Sequence, residues 1–236
     1  WDDADARLLP AIHTIHLEPP YTPEAPLNAL WSRWFTLAER FDAVLWPTEA
    51  QRADVAERFG VDSVHVVVPH GVPGGASVTP DPRRTRDRVV MLNRLAPGKR
   101  IDDAIRAFRD VVSAVPDATL DIYGEGPEHE RLQALIVAEG LEAHVALRGR
   151  TDDAASELRD AFAFLSTSAY EGQGLSIVEA MVEGCPVVAY DAPYGPRELL
   201  GGGGGILVPN GDEAALAGAL VRVLTDIELH QRLRIA

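Results

Sequence analysis

Glu171 and Glu179 frame the stretch Ser166-Thr-Ser-Ala-Tyr-Glu-Gly-Gln-Gly-Leu-Ser-Ile-Val-Glu179. Its pattern reads as a strand ending near Ser166, a glycine-bearing loop, and a helix opening at Gly174 or Leu175. Glycines at 172 and 174 let a ligand come close to the backbone. The first amides of such a helix, around Leu175 and Ser176, have no intrahelical acceptors and lie at the positive end of its dipole, which suits an anion. Ser176 and Glu179, three residues apart, share a helix face, and Glu171 on the loop can reach the same crevice. Carboxylates beside an anion site are unfavourable unless hydroxyl groups donate to them. The chemistry that fits is therefore a ligand carrying both phosphate and sugar hydroxyls. The plainer alternative is a solvent-facing helix start with ordinary acidic residues in its first turns.

A second group follows the first strand of the larger half of the chain: Asn93-Arg-Leu-Ala-Pro-Gly-Lys99-Arg100. Arg94 and Lys99 bracket a Pro-Gly turn, so both can fold over one strand end. A planar guanidinium and a mobile ammonium together suit a diphosphate. Read without a ligand, this is a solvated basic turn. Lys99 is the only lysine among 22 cationic residues. Tyr123-Gly-Glu-Gly-Pro127 has part of a dinucleotide fingerprint but lacks the third glycine, and reads as a tight βα turn. His13 and His16 lie an odd number of residues apart, so a regular strand turns them to opposite faces. Each is by default an ordinary core or surface histidine, with a catalytic role open to both.

The elements that must position these groups alternate regularly. Apolar strands are expected at 11–17, 43–46, 64–69, 89–92, 119–123, 144–147, 161–166, 186–190 and 206–208. Helical periodicity falls at 28–40, 48–59, 101–114, 127–139, 154–160, 175–183, 196–200 and 213–224. Apolar strands alternating with helices predict an α/β fold with a doubly wound parallel sheet, whose ligands lie at the carboxyl ends of the strands. Residues 69–87, rich in Pro, Gly, Ser and Arg, read as a linker between two units, 1–70 and 71–236. The glycine run 201–205 reads as a flexible connector. The formal net charge of -14 argues against nucleic-acid binding, which needs a basic surface. A single cysteine, Cys185, excludes an intrachain disulfide framework and a cysteine-rich zinc site, and points to a reducing, cytoplasmic setting. No apolar stretch approaches the ~20 residues that span a bilayer. The chain opens on Trp1 and is read as a piece of a longer protein.

Together these motifs resemble the retaining, group 1 nucleotide-sugar glycosyltransferases of the GT-B fold. The resemblance rests on Glu171-Gly-x-Gly-Leu-x-x-x-Glu179, the Asn93–Lys99 turn, Tyr123–Pro127, Pro69-His-Gly-Val72 and Leu207-Val-Pro-Asn-Gly-Asp212, in that family's order. Glu183–Asp191 with Tyr194-Gly-Pro-Arg-Glu198 is similar to poly(glycerol-phosphate) α-glucosyltransferases and their serine-rich-adhesin relatives. The resemblance implies transfer of a glucose- or N-acetylglucosamine-type hexose from a nucleotide diphosphate sugar, UDP-linked by expectation, to a cell-wall polymer, glycan or protein. It implies no metal or other cofactor. Arg94 and Lys99 would hold the diphosphate, Glu179 the ribose hydroxyls, and Glu171 with the backbone of Gly172, Gln173, Gly174 and Leu175 the sugar, with Ser176 also among the donor-binding residues. His16, ahead of His13, would be the active-site histidine of an N-terminal acceptor domain, of which 1–70 would be the last portion. Gln173 departs from the family, which commonly has an aromatic there. Asp3-Ala-Asp5 matches a two-aspartate metal motif of some sugar transferases, but at a terminus outside any strand end it reads as coincidence. The alternatives are a nucleotide-sugar-binding module without turnover in this truncated form, a GT-B epimerase and a Rossmann-type oxidoreductase. Peripheral attachment to the inner membrane face would be expected only through a region preceding this chain.

Overall fold

Short apolar runs, each followed by a turn and an amphipathic segment, become parallel strands joined by helices. The structure is a computed structural model that describes residues 7, 9–12, 17–18, 25–37, 40–60, 65–72 and 86–234. In chain order its strands are β1 (Val44–Trp46), β2 (His65–Val67), β3 (Arg88–Leu92), β4 (Thr119–Tyr123), β5 (Val145–Gly149), β6 (Ala163–Ser166), β7 (Val187–Tyr190) and β8 (Gly205–Val208). The helices are α1 (Ala29–Phe35), α2 (Glu49–Phe59), α3 (Ile101–Ala114), α4 (His129–Ala138), α5 (Ala154–Asp160), α6 (Leu175–Val182), α7 (Gly195–Leu200), α8 (Glu213–Thr225) and α9 (Ile227–Arg234).

Strands β3 to β8 form one parallel sheet in the order β5-β4-β3-β6-β7-β8. Alternate residues of each strand face opposite layers of helices. Val89 and Met91 of β3 pack with Ile105, Phe108 and Val111 of α3 and with Leu216 and Leu220 of α8. Val90, one residue out of step, joins Phe164 of β6 with Leu158, Ile177 and Leu200 from α5, α6 and α7. Burying each such side chain contributes about 1.5–3 kcal/mol. The order reverses between β3 and β6, where chain leaving β3 turns towards β4 and chain leaving β6 turns towards β7. The loops part there and leave a crevice at the carboxyl ends.

The preceding segment forms a separate two-stranded parallel sheet of β1 and β2, with Ala11 bridged to Leu45. Its core is aromatic, built on Trp31, Trp46 and neighbouring phenylalanines. Thr48 caps α2 through a bond from the Gln51 amide, and Gly60 ends the helix with φ 62°. Two expectations are corrected. The helix expected over 28–40 ends at Phe35 in a turn whose Leu37 amide bonds back to the Trp34 carbonyl. The glycine run is not wholly a connector, because Gly205 opens β8 against β7, where a Cβ would lie 2.6 Å from the Val187 carbonyl oxygen. The terminal helix α9 has no counterpart among the expected elements. His13 and His16, and Asp3 and Asp5, lie outside the described residues.

Candidate active site

The two sequence groups converge at the switch point. Asn93 and Arg94 follow β3 directly, and a 3-10 turn, Pro97–Lys99, brings the lysine back over the strand ends. The chain leaving β6 supplies Thr167 to Gly174 before α6 begins. Lys99 Nζ lies 2.5 Å from Glu171 Oε1, with both side chains mostly buried. Ser168 Oγ donates to the same oxygen at 2.7 Å. One carboxylate oxygen is thus held by two donors, while Oε2 accepts no bond from either.

The backbone of this loop is fixed on several sides. Thr167 Oγ1 donates to the Lys99 carbonyl at 2.8 Å, and the Ala169 amide donates to the Gly98 carbonyl at 2.9 Å. Asn210, beyond β8, donates to the Ala169 carbonyl at 3.0 Å while accepting from Arg100. The Glu171 amide donates to the Pro193 carbonyl, and the Tyr194 amide returns a bond to the Glu171 carbonyl, both at 2.7 Å. Gly195 is required for this approach, because a Cβ there would lie 2.0 Å from the Gln173 carbonyl oxygen.

Segments from the smaller sheet close the crevice. The Gln173 carboxamide accepts from the His70 amide at 2.7 Å and donates to the His70 carbonyl at 3.0 Å. Its polar groups are thereby engaged with the segment leaving β2. Glu198 of α7 accepts from the Ala50 amide at 2.6 Å, placing a carboxylate at the positive end of α2. Tyr194 donates to Asp54 of the same helix at 2.7 Å.

These elements enclose a cavity of about 250 Å³, lined among others by Pro47, His70, Arg94, Lys99 and Glu171. Gly172 to Ser176 line it too, so the start of α6 faces it. Among the described residues no side chain caps α6, whose preceding residue Gly174 has φ 88°. Lys99 and Glu171 neutralise one another, whereas the exposed Arg94 guanidinium has no partner among the described residues.

Glu179 does not line this cavity. It faces an adjoining one of about 370 Å³, which shares Leu92, Asn93 and Arg94 with the first. The two expected carboxylates therefore flank the Asn93–Arg94 wall from different sides. The Glu179 carboxylate has no ion-pair or hydrogen-bond partner among the described residues, and burial pushes its pKa up. The Asn93 Nδ2 amide at the shared wall is also buried without an acceptor among the described residues. An unpaired buried donor of this kind costs about 1–3 kcal/mol.

Sequence reasoning missed this second cavity. It is lined by Tyr123 and Glu125 at the end of β4, and by Arg150 and Thr151 beyond β5. The available signal was position, since all follow parallel strands on the same side of the sheet. Beneath it, Asp121 receives Arg88 at 2.7 Å and Arg148 at 2.6 Å. Arg88 also reaches Glu157 and the Tyr123 hydroxyl. Burial and its hydrogen bonding push the Tyr123 hydroxyl up to about 12, so it stays a neutral donor. The glycines of 123–127 serve packing. A Cβ on Gly124 would lie 1.8 Å from the Asn93 carbonyl oxygen, and one on Gly126 would lie 2.2 Å from that of Leu95.

Among the described residues, no three His, Cys, Asp or Glu side chains gather as a metal-binding group. No helix among them is long and apolar enough to cross a membrane.

Residues 80–236 match the family model for glycosyl transferases group 1. The poly(glycerol-phosphate) alpha-glucosyltransferase of Bacillus subtilis (strain 168) is 35% identical over 201 residues, which cover 84% of this chain and 30% of that protein. The structure of a mutant of S. aureus TarM, in complex with fondaparinux, alpha-GlcNAc-glycerol and UDP, superposes with a TM-score of 0.91 at 29% identity, covering 99% of this chain and 47% of that one. The pneumococcal O-GlcNAc transferase GtfA, in complex with UDP and GlcNAc, gives 0.85 at 26% identity, covering 97% and 47%. The chain spans less than half the length of each of these three relatives.

Proposed function

The chain belongs to the group 1 glycosyl transferases, and we propose that it forms the donor-binding part of a retaining hexosyltransferase using a UDP-linked sugar. The supporting observation is the pair of adjoining cavities at the switch point, with Arg94 on their shared wall, Lys99–Glu171 in one and an unpaired Glu179 in the other.

In this reading the diphosphate lies along the Asn93–Arg94 wall. It meets the Arg94 guanidinium, the Lys99 ammonium and the uncapped first-turn amides of α6. The nucleoside enters the larger cavity, where its ribose hydroxyls donate to Glu179. The hexose lies in the smaller cavity, where its hydroxyls donate to the open oxygen of Glu171. Gln173, tied to His70, shapes that cavity, with Gly172 to Ser176 supplying backbone contacts.

The bond from the anomeric carbon to the β-phosphate oxygen breaks, and the acceptor oxygen bonds to the same face of that carbon. The acceptor's proton passes to the departing phosphate oxygen, so no side chain acts as nucleophile. Negative charge grows on the diphosphate as the bond breaks. Arg94, Lys99 and the α6 amides meet that charge without a metal, and one such preorganised group contributes about 3–4 kcal/mol to transition-state stabilisation.

The acceptor is proposed to be a cell-wall polymer, a glycan or a protein, and the hexose glucose or N-acetylglucosamine. Relatives named for polymer and for peptide transfer support that range. Residues 1–70 would belong to the acceptor-side unit, with His16 or His13 as its active-site histidine, and 71–236 to the donor unit. The place of action is proposed to be the cytoplasm, in keeping with the single, buried Cys185.

A thermal-unfolding panel of UDP-, GDP- and ADP-sugars tests the reading. A UDP-sugar at a hundred times its Kd stabilises the chain by about 2.7 kcal/mol. Absence of stabilisation by any nucleotide sugar would overturn the assignment.

A further inference from the structure

We infer that Thr167 and Ser168 are positioning residues which together set Lys99 against Glu171. The inference rests on the nucleotide-sugar reading of the site. Both hydroxyl residues follow β6 directly and are buried, at 0% and 1% exposure. Successive residues on extended backbone point to opposite sides, and these two reach different targets. Thr167 Oγ1 holds the main chain of Lys99 at 2.8 Å, and Ser168 Oγ holds the carboxylate of Glu171 at 2.7 Å.

The Lys99 and Glu171 side chains come from loops 72 residues apart in sequence. Each is long and flexible enough to adopt many rotamers. A bond to the Lys99 carbonyl, reinforced by the Ala169 amide on Gly98, removes the freedom of the 97–99 turn against the end of β6. The Ser168 bond selects which Glu171 oxygen is occupied. Because Ser168 and Lys99 share Oε1, the second oxygen stays open for a hexose hydroxyl. Thr167 thus acts on the diphosphate side of the site, through Lys99, and Ser168 on the hexose side, through Glu171.

That division predicts different ligand signatures for two adjacent residues. The test is calorimetry on the chain with UDP, and with whichever of UDP-glucose and UDP-N-acetylglucosamine the unaltered protein binds more tightly. Ser168→Ala weakens the UDP-sugar roughly fivefold to tenfold and changes UDP by less than twofold. Thr167→Val weakens both ligands by the same factor. In a Glu171→Ala background Ser168→Ala changes UDP-sugar affinity by less than twofold, because its only route to the ligand is gone. Ser168→Thr, which keeps a hydroxyl, restores binding, and thermal unfolding of each variant confirms that it is folded.

Equal loss of UDP and UDP-sugar in Ser168→Ala, or the same loss with and without Glu171, overturns this inference and leaves the nucleotide-sugar reading standing. An unaltered chain that binds neither UDP nor a UDP-sugar overturns both.

Discussion

Replacing Glu171 with Gln should tighten the binding of UDP while loosening the hold on its sugar. Lys99 is neutralised by Glu171 at 2.5 Å, so an arriving diphosphate competes with a carboxylate for that ammonium and also meets the carboxylate's own charge. Two unit charges ~6 Å apart at an effective dielectric near 20 interact by about 3 kcal/mol. Partial exposure and salt reduce this to about 1–1.5 kcal/mol. Glu171→Gln removes that opposition and keeps the side-chain volume, so UDP should bind roughly fivefold to tenfold tighter. A UDP-sugar gains the same term but loses charge-assisted bonds from its hydroxyls, about 1.5–3 kcal/mol. Its advantage over UDP should therefore shrink or vanish. Isothermal calorimetry on the chain at low and at ~0.5 M salt reads both effects, with the UDP gain fading at high salt. A Lys99→Met, Glu171→Gln double variant should bind UDP more weakly than Glu171→Gln alone. A folded Glu171→Gln protein that binds UDP no better than the unaltered chain would refute the competition.

Lys99→Ala should lower turnover about a hundredfold or more, measured as sugar transfer at saturating donor. Glu179→Gln should weaken UDP by about 1.5–3 kcal/mol in calorimetry while raising the Tm of the empty chain at pH 7. The sign follows from burial. The folded pKa of Glu179 lies above its ordinary value of about 4.5, so the folded chain holds that proton more tightly and loses stability as pH rises between the two values. Ribose hydroxyls bind the ionised form, so UDP affinity should fall as pH drops through the raised pKa, and the Gln variant should lack this component. Gly124→Ala should destabilise the fold and weaken UDP together, because its Cβ would drive against the Asn93 carbonyl and displace the wall beneath the diphosphate. Thermal unfolding and calorimetry read both effects.

Strands β3, β6 and β7 were legible because each is a short, mostly apolar run buried on both faces, as Val89, Val90 and Met91 show at 0% exposure. The helices expected over 48–59 and 213–224 are observed at Glu49–Phe59 and Glu213–Thr225, each opened by a short oxygen-bearing cap, Thr48 and Asp212. The site was legible in outline. Glu171, Lys99, Arg94 and the start of α6 meet in one cavity because residues beyond parallel strands collect at one edge of the sheet. What sequence could not supply was pairing across long separations. Nothing near Gln173 announces that its carboxamide binds the His70 backbone, a contact made only when the segment beyond β2 meets the loop between β6 and α6. The glycines at 124 and 126 were read as a tight βα turn, but not their cause, a neighbouring loop's carbonyl oxygens. Glu179 was read on this helix but at the crevice of Ser176 and Glu171, and its separate cavity depends on where β4 and β5 end.

The most direct test of the account is a crystal structure of the chain with UDP. The account predicts the diphosphate within hydrogen-bond distance of Lys99 Nζ, the Arg94 guanidinium and the Leu175 and Ser176 amides, with the ribose hydroxyls on Glu179. A diphosphate bound away from the start of α6, or a ribose that leaves Glu179 untouched, would contradict it.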